Sequence, residues 1–231
     1  YNVPISGHVC GNGMHHHDEF KMASGEMSKA EFTSFLKQTF QRLCNHTHDG
    51  SLHYICMDWR HIQELTAAGE VYSDFKNLCV WNKTNGGMGS FYRSKHELVF
   101  VYKNGTAPHI NNINLGKNGR YRTNVWDYAG VNTFENTENL KMHPTVKPVT
   151  VVQDAILDCT KRGQIVLDPF GGSGSTLIAA ERCRRKAFLI ELEPKYVDVI
   201  IRRYQDLTGD TSIHADGKTF DQKMGERHVT L

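Results

Sequence analysis

Between Gln164 and Leu207 the chain reads strand, glycine-rich turn, helix, strand, helix, and few folds accept that order. Gln164 to Asp168 (QIVLD) is a short apolar run ending in an acid, and Lys186 to Glu191 (KAFLIE) is a second. Phe170-Gly-Gly-Ser-Gly174 breaks the chain before the helical stretch Ser175 to Cys183. Pro194 then opens a helix whose apolar residues Val197, Ile200, Ile201, Tyr204 and Leu207 recur at helical spacing. Two strands joined through a helix lie parallel in one sheet, because the helix returns the chain to the edge it left. A helix over Val151 to Lys161, with Gly163 after it, leads into this unit.

The upstream part supplies more of the same class. Ser28 with Glu31 forms a capping box, and Phe32, Phe35, Leu36, Phe40 and Leu43 follow at helical spacing. Leu52 to Asp58, Asn77 to Asn82 and Glu97 to Tyr102 read as strands, and Thr211 to His214 as one short strand more. Trp59 to Ala68 reads as a helix with Gly69 as its stop. Residues 1–27 carry no period and read as a loop. Residues 103–142, rich in Asn, Gly, Arg, Lys and Tyr and poor in aliphatics, read as a long insertion outside the core. The expected division is therefore 1–102, the insertion 103–142, and 143–231 as the second half of one domain.

Composition narrows the setting. A chain of 231 residues can bury one real α/β core, and its formal charge of +2 provides no global basic field. Contact with nucleic acid would have to come from local patches. Mean hydropathy is −0.49, no apolar run is long enough to span a bilayer, and the start lacks the basic head and apolar core of a signal peptide. Cysteines stand at 10, 44, 56, 79, 159 and 183 with no Cys-x-x-Cys pair, which fits reduced thiols in the cytoplasm. His15 to His17, and His46 and His48 with Asp49, read as surface residues, and no metal is expected.

The glycine-rich turn indicates its ligand. Gly171, Gly172 and Gly174 let the backbone turn sharply and let a ligand approach without Cβ atoms in the way. Asp168 opens the turn and Glu191 closes the next strand, so the two acids face one crevice. The turn has neither the Lys of a triphosphate-binding loop nor the G-x-G-x-x-G of a dinucleotide site. An acid at its mouth repels a pyrophosphate but attracts an α-ammonium, and a second acid can accept from ribose hydroxyls. That favours S-adenosylmethionine over a nicotinamide cofactor. His143-Pro-Thr-Val-Lys-Pro148 precedes the helix leading into this strand. There Lys147 can pair with a carboxylate, and Thr145 and helix N-terminal amides can donate to it.

His143-Pro-Thr-Val-Lys-Pro148 followed by Asp168-Pro-Phe-Gly-Gly-Ser-Gly-Ser-Thr176 resembles the β-class (N4/N6) DNA amino-methyltransferases. The resemblance implies a Rossmann-like fold, a mostly parallel twisted sheet with helices on both faces. It implies a cofactor site made of His143, Thr145, Lys147, Pro148, Asp168, Phe170, Gly171, Gly172, Gly174, Thr176 and Glu191. Within that site Asp168 serves the ammonium, Glu191 the ribose, and Phe170 lies beside the cofactor. The family's catalytic motif is Asp/Ser-Pro-Pro-Tyr, and Tyr1-Asn2-Val3-Pro4 resembles its last residue and continuation. On that reading Tyr1 is the catalytic aromatic wall and the Asp-Pro-Pro lies upstream of residue 1, in an additional N-terminal segment. Met57 to His61, Trp81 to Lys83 with Gly87 to Glu97, and Tyr121 to Tyr128 are similar to segments of adenine-specific members. Asp58 alone is equally well explained as a helix N-cap.

The chemistry accounts for these parts. An adenine amine is a poor nucleophile until acceptors hold its two N–H bonds, and the base must leave the duplex to reach them. The expected activity is methyl transfer from S-adenosylmethionine to the N6 amine of adenine in double-stranded DNA. Cytosine N4 methylation and a non-catalytic module that binds cofactor or DNA are the rivals. From the insertion, Lys117, Arg120, Arg122 and Trp126 are the expected DNA contacts, with Asn111, Asn112 and Asn114 as adenine readers. A homodimer is compatible with this reading, and no membrane is involved.

Overall fold

The computed structural model describes residues 1–4, 20–87, 91–113, 121–130 and 146–229. Helix α1 (Lys29–Asn45) starts where the sequence places it: Ser28 Oγ accepts from Glu31 N, and the Glu31 carboxylate accepts from Ser28 N. Strand β1 (Leu52–Met57) follows, then a 3-10 turn over Trp59–His61 and helix α2 (Ile62–Ala68). Gly69 does not end α2 in the left-handed conformation expected of a stop. Its φ is −68°, and the chain continues into a second 3-10 turn, Gly69–Val71. Glycine is needed there for space, since an added Cβ would lie 2.5 Å from Tyr102 Cζ.

Strands β2 (Asp74–Asn82), β3 (His96–Lys103) and β4 (Val125–Asp127) complete a four-stranded sheet with β1, in the order β1-β3-β2-β4. β3 runs antiparallel to both β1 and β2, and β4 runs parallel to β2. This sheet is mixed where a mostly parallel one was expected. The reason is local: residues 83–95 join β2 to β3 without a crossover helix, and such neighbours pair antiparallel.

The second unit is as the sequence reads. Helix α3 (Val149–Cys159) leads into β5 (Ile165–Asp168), which pairs parallel with β6 (Lys186–Leu189) through helix α4 (Ser175–Arg182). Helix α5 (Pro194–Thr208) starts at its proline and ends at Gly209, whose φ of +75° suits a residue without Cβ. Ile213 makes one isolated bridge to Thr219 instead of a strand, and helix α6 (Phe220–Val229) follows.

The alternation of β3 sorts the core into two layers. Leu98, Phe100 and Tyr102 face α1 and α2, against Phe32, Leu36, Phe40 and Leu65. Val99 and Val101 face the other way, against Cys79, Trp81, Trp126 and Val151 of α3. Helices therefore cover both faces of this sheet. A third cluster packs Ile156, Ala179, Ala180 and Cys183 over β5 and β6.

The segment read as an insertion is not wholly outside this core. Trp126 of β4 is buried, its indole N–H donates to Thr123 O, and Trp81 Nε1 donates to Tyr128 O across the strand pair. A buried indole supplies more apolar area than the few aliphatics of this stretch suggest. Asn112 is likewise structural: its side-chain amide donates to Leu157 O and Thr160 O, capping the end of α3. Asn111 Oδ1 accepts from Ile113 N, while Asn114 lies outside the described residues. Among the described residues no helix is long and apolar enough to cross a membrane.

Candidate active site

β5 delivers Asp168 to the mouth of the turn, and both of its carboxylate oxygens are used. Oδ1 accepts from Phe170 N at 2.9 Å and Oδ2 from Thr176 Oγ1 at 2.6 Å. Glu191 closes the far side: Oε2 accepts from Gly172 N at 2.7 Å and Oε1 from Glu193 N at 2.8 Å. The two acids thus fix the turn from both ends. A carboxylate oxygen has two lone pairs, so each retains capacity for an incoming donor.

Backbone geometry explains the glycines. Gly172 and Gly174 have φ of +53° and +81°. A Cβ at Gly171 would meet Ile200 Cδ1 at 3.1 Å and Ile190 O at 3.3 Å, so α5 packs against the turn as closely as glycine allows. Arg203 of α5 donates to Ser173 O at 2.5 Å, which adds a polar tie at the same contact. Phe170 is exposed at the lip, with its ring centroid 6.3 Å from that of Phe35 in α1.

A second cluster adjoins the first. Ser175 Oγ, at the head of α4, donates to Lys147 O at 2.7 Å. The Lys147 ammonium reaches Tyr1 OH at 2.6 Å and Glu97 Oε1 at 3.2 Å. Tyr1 OH donates to the same Glu97 oxygen at 2.6 Å, and Lys83 Nζ reaches Glu97 Oε2 at 3.2 Å. Four residues from distant parts of the chain meet at the end of the sheet where β2 finishes and β3 begins.

Their charges are interdependent. Burial pushes the Glu97 carboxyl up, but Lys147, Lys83 and the Tyr1 hydroxyl outweigh it and hold it down at about 2. Burial pulls Lys147 down, but Glu97 outweighs it and keeps the ammonium well above its ordinary range. Burial and the Glu97 charge raise the Tyr1 phenol, so it stays neutral. Two lysines against one carboxylate leave a net positive charge.

Neither Glu97 nor Lys83 was marked as a site residue from the sequence. The available signal was an acid opening the otherwise apolar strand ELVFVY, a place that demands a buried cation. Tyr1, Lys147, Pro148, Asp168, Phe170, Gly171, Gly172, Gly174, Thr176 and Glu191 lie on the two adjoining clusters, with Pro148 at the N-cap of α3. His143, Thr145, Lys117 and Arg120 lie outside the described residues, as do His15 to His17.

Arg122 and Trp126 stand apart from this site and face inward. Arg122 Nη1 is 3.0 Å from Asp154 Oδ2, Nε is 3.0 Å from Asp158 Oδ2, and its guanidinium stacks on the Trp126 ring. Burial alone would lower its pKa, but Tyr128, Asp158 and Asp154 raise it. In this structure the residue expected at DNA is a pin between the β4 segment and α3. Asp58 caps the turn after β1, with Oδ1 accepting from Arg60 N at 2.8 Å.

The family model for N6/N4 DNA methylases matches residues 5–202. The chain belongs to this DNA methylase family. Type II methyltransferase M2.MboI of Moraxella bovis is 32% identical over 139 residues, 57% of this chain and 50% of that protein. DNA adenine methyltransferase YhdJ of Escherichia coli is 36% identical over 103 residues, 44% of this chain and 34% of that protein. The chain thus spans half or less of the length of these methylase relatives. The crystal structure of the M1.HpyAVI complex with S-adenosylmethionine superposes with a TM-score of 0.60 at 23% identity, covering 74% of this chain and 81% of that one. The shared fold is Rossmann-like, with the antiparallel β3 as its departure from a parallel sheet.

Proposed function

We propose that the protein transfers a methyl group from S-adenosylmethionine to the N6 amine of adenine in double-stranded DNA. One observation carries the reading: Lys147 joins the glycine-rich turn, through Ser175, to Tyr1 and Glu97. A cofactor crevice and an aromatic residue for a target base thereby share one edge. Membership of the DNA methylase family and the adenine-specific name of the Escherichia coli relative support the same choice.

The residues suit the cofactor. When bound, S-adenosylmethionine supplies an electrophilic methyl group on a positively charged sulfur. Asp168 accepts from the ammonium and Glu191 from the ribose hydroxyls, each through lone pairs that the turn leaves available. Gly171, Gly172 and Gly174 keep side chains out of the approach, and Phe170 offers a ring at the lip. The positive surplus around Lys147 and Lys83 attracts a carboxylate. His143 and Thr145 belong to the same subsite by motif, and Lys117 and Arg120 remain the basic residues of 103–142 assigned to DNA. Tyr1, with its hydroxyl held by Glu97 and Lys147, offers its ring to an extruded base.

Calorimetric titration tests the cofactor half. S-adenosylmethionine should bind and NAD should not. Asp168→Asn and Glu191→Gln keep an acceptor for the turn amides yet remove the charge, and each should weaken binding about tenfold or more. Unchanged affinity in both variants refutes the assignment. DNA from cells expressing the whole gene should contain N6-methyladenine by mass spectrometry, and N4-methylcytosine would refute the adenine choice.

A further inference from the structure

The β2–β3 hairpin carries Phe91 and Tyr92 at 86% and 80% exposure, the largest exposures among the large hydrophobic residues described. Their rings meet edge to face with centroids 4.5 Å apart. The stalk beneath them is built. Lys83 N donates to Lys95 O at 2.8 Å, Gly87 N to Ser94 O at 2.8 Å, and Arg93 Nη2 to Gly86 O at 2.5 Å. An ordered ladder therefore holds two aromatic rings out in water, where they gain nothing from the protein's own core. Aromatic residues spend that exposure where a partner covers them.

Charge selects the partner. Residues 83–96 contain Lys83, Arg93, Lys95 and His96 and no acid. Position narrows it further: the hairpin rises directly from Lys83 and Glu97, which hold Lys147 and the Tyr1 hydroxyl. The strand that follows the rings thus begins at the residue that holds Tyr1. A protein partner would ask for an apolar surface, whereas cations flanking exposed rings match nucleobases between phosphates.

We propose that Phe91 and Tyr92 form a wedge that inserts into the DNA base stack beside the target and covers the unstacked neighbours of the extruded base. The inference rests on the reading of this protein as a methylase acting on DNA, and it assigns base unstacking to the hairpin instead of to residues 103–142. The aromatic pair reads stacking, which every base offers, so it confers no sequence preference of its own.

Fluorescence anisotropy with two labelled duplexes tests this, one fully paired and one with a central A·A mismatch that is already partly unstacked. The wild-type chain should prefer the mismatched duplex. Phe91→Ala/Tyr92→Ala should lose that preference and bind the mismatched duplex roughly thirtyfold more weakly, with S-adenosylmethionine affinity and circular dichroism unchanged. Phe91→Trp should keep the preference and show indole quenching on DNA addition beyond that of the wild type. A preference that survives the double substitution, or no added quenching in Phe91→Trp, overturns the wedge while leaving the methylase reading intact. Self-association in the wild type that the double variant abolishes, with DNA binding unchanged, makes the pair a contact between copies and overturns it as well. A wild-type chain that binds neither S-adenosylmethionine nor DNA refutes the methylase reading, and the wedge falls with it.

Discussion

Arg122→Ala should act on stability, and the structure sets its size. The side chain is 13% exposed and serves two acids of unequal burial: Asp154 is 33% exposed and Asp158 only 2%. The Asp154 arm is partly solvated, and its loss costs about 0–1 kcal/mol. The Asp158 arm is different, because removing the cation takes a partner from a buried carboxylate, at about 3–5 kcal/mol. The lost stack on Trp126 adds about 0.5–1 kcal/mol. The sum, about 3.5–7 kcal/mol, is a large share of the roughly 5–15 kcal/mol that holds a domain together. Urea unfolding followed by tryptophan fluorescence reads this directly, since Trp126 reports on the pin itself. Asp158→Asn in the Arg122→Ala background should restore part of the loss, because the buried negative charge is gone. A loss below about 1 kcal/mol, together with a DNA-binding salt slope that drops by about one, would refute the reasoning and return Arg122 to the phosphate backbone.

Three other outcomes follow from the same coordinates. Glu97→Gln leaves Lys83 and Lys147 facing each other without a counter-charge, so it should cost about 2–4 kcal/mol in thermal or urea unfolding, and Lys83→Met in that background should recover part. Acid titration should show two losses: burial between Thr47 and Tyr72 holds His53 down at about 4, so stability falls as pH drops from about 6.5 to 4 while the unfolded chain gains the proton. Glu97, depressed to about 2, adds a loss from about pH 4.5 down to 2, and His53→Gln should remove only the first stage. Gly174→Ala should cost about 1–2 kcal/mol, since φ is +81° and the new methyl would lie 3.0 Å from Ile200 Cγ1; Ile200→Ala, which removes both Cγ atoms, should relieve most of the contact but not the backbone strain, and an unchanged melting temperature in Gly174→Ala would refute both.

Elements made by contiguous residues were legible from the sequence. The Ser28 capping box, the β5–turn–α4–β6 unit and the Pro194 start of α5 depend on neighbours a few positions apart, and they fall where periodicity and turn chemistry put them. The misreadings involve partners far apart in the chain. Glu97 is held by residues 1, 83 and 147, and no local pattern connects these positions. β4 is three residues long in a polar setting, so its one buried indole looked like a loop aromatic. Gly69 does stand at the end of α2 as read, but its second role, leaving room for the Tyr102 ring from β3, has no local signal. The antiparallel β3 was missed because strand direction depends on the connection between strands, and apolar runs say nothing about it.

Asn112 and Arg122 grip the same end of α3, through Leu157 and Thr160 on one side and through Asp154 and Asp158 on the other. Two positions that lie close together in the sequence are therefore fixed as posts on one helix. The span between such posts is cheap to alter, since doubling the length of a loop adds only about 0.6 kcal/mol of closure entropy. Posts of this kind hold β4 and α3 in place by contacts that do not depend on the sequence between them. The two posts make a socket whose walls belong to the fold and whose filling is left to the sequence between them.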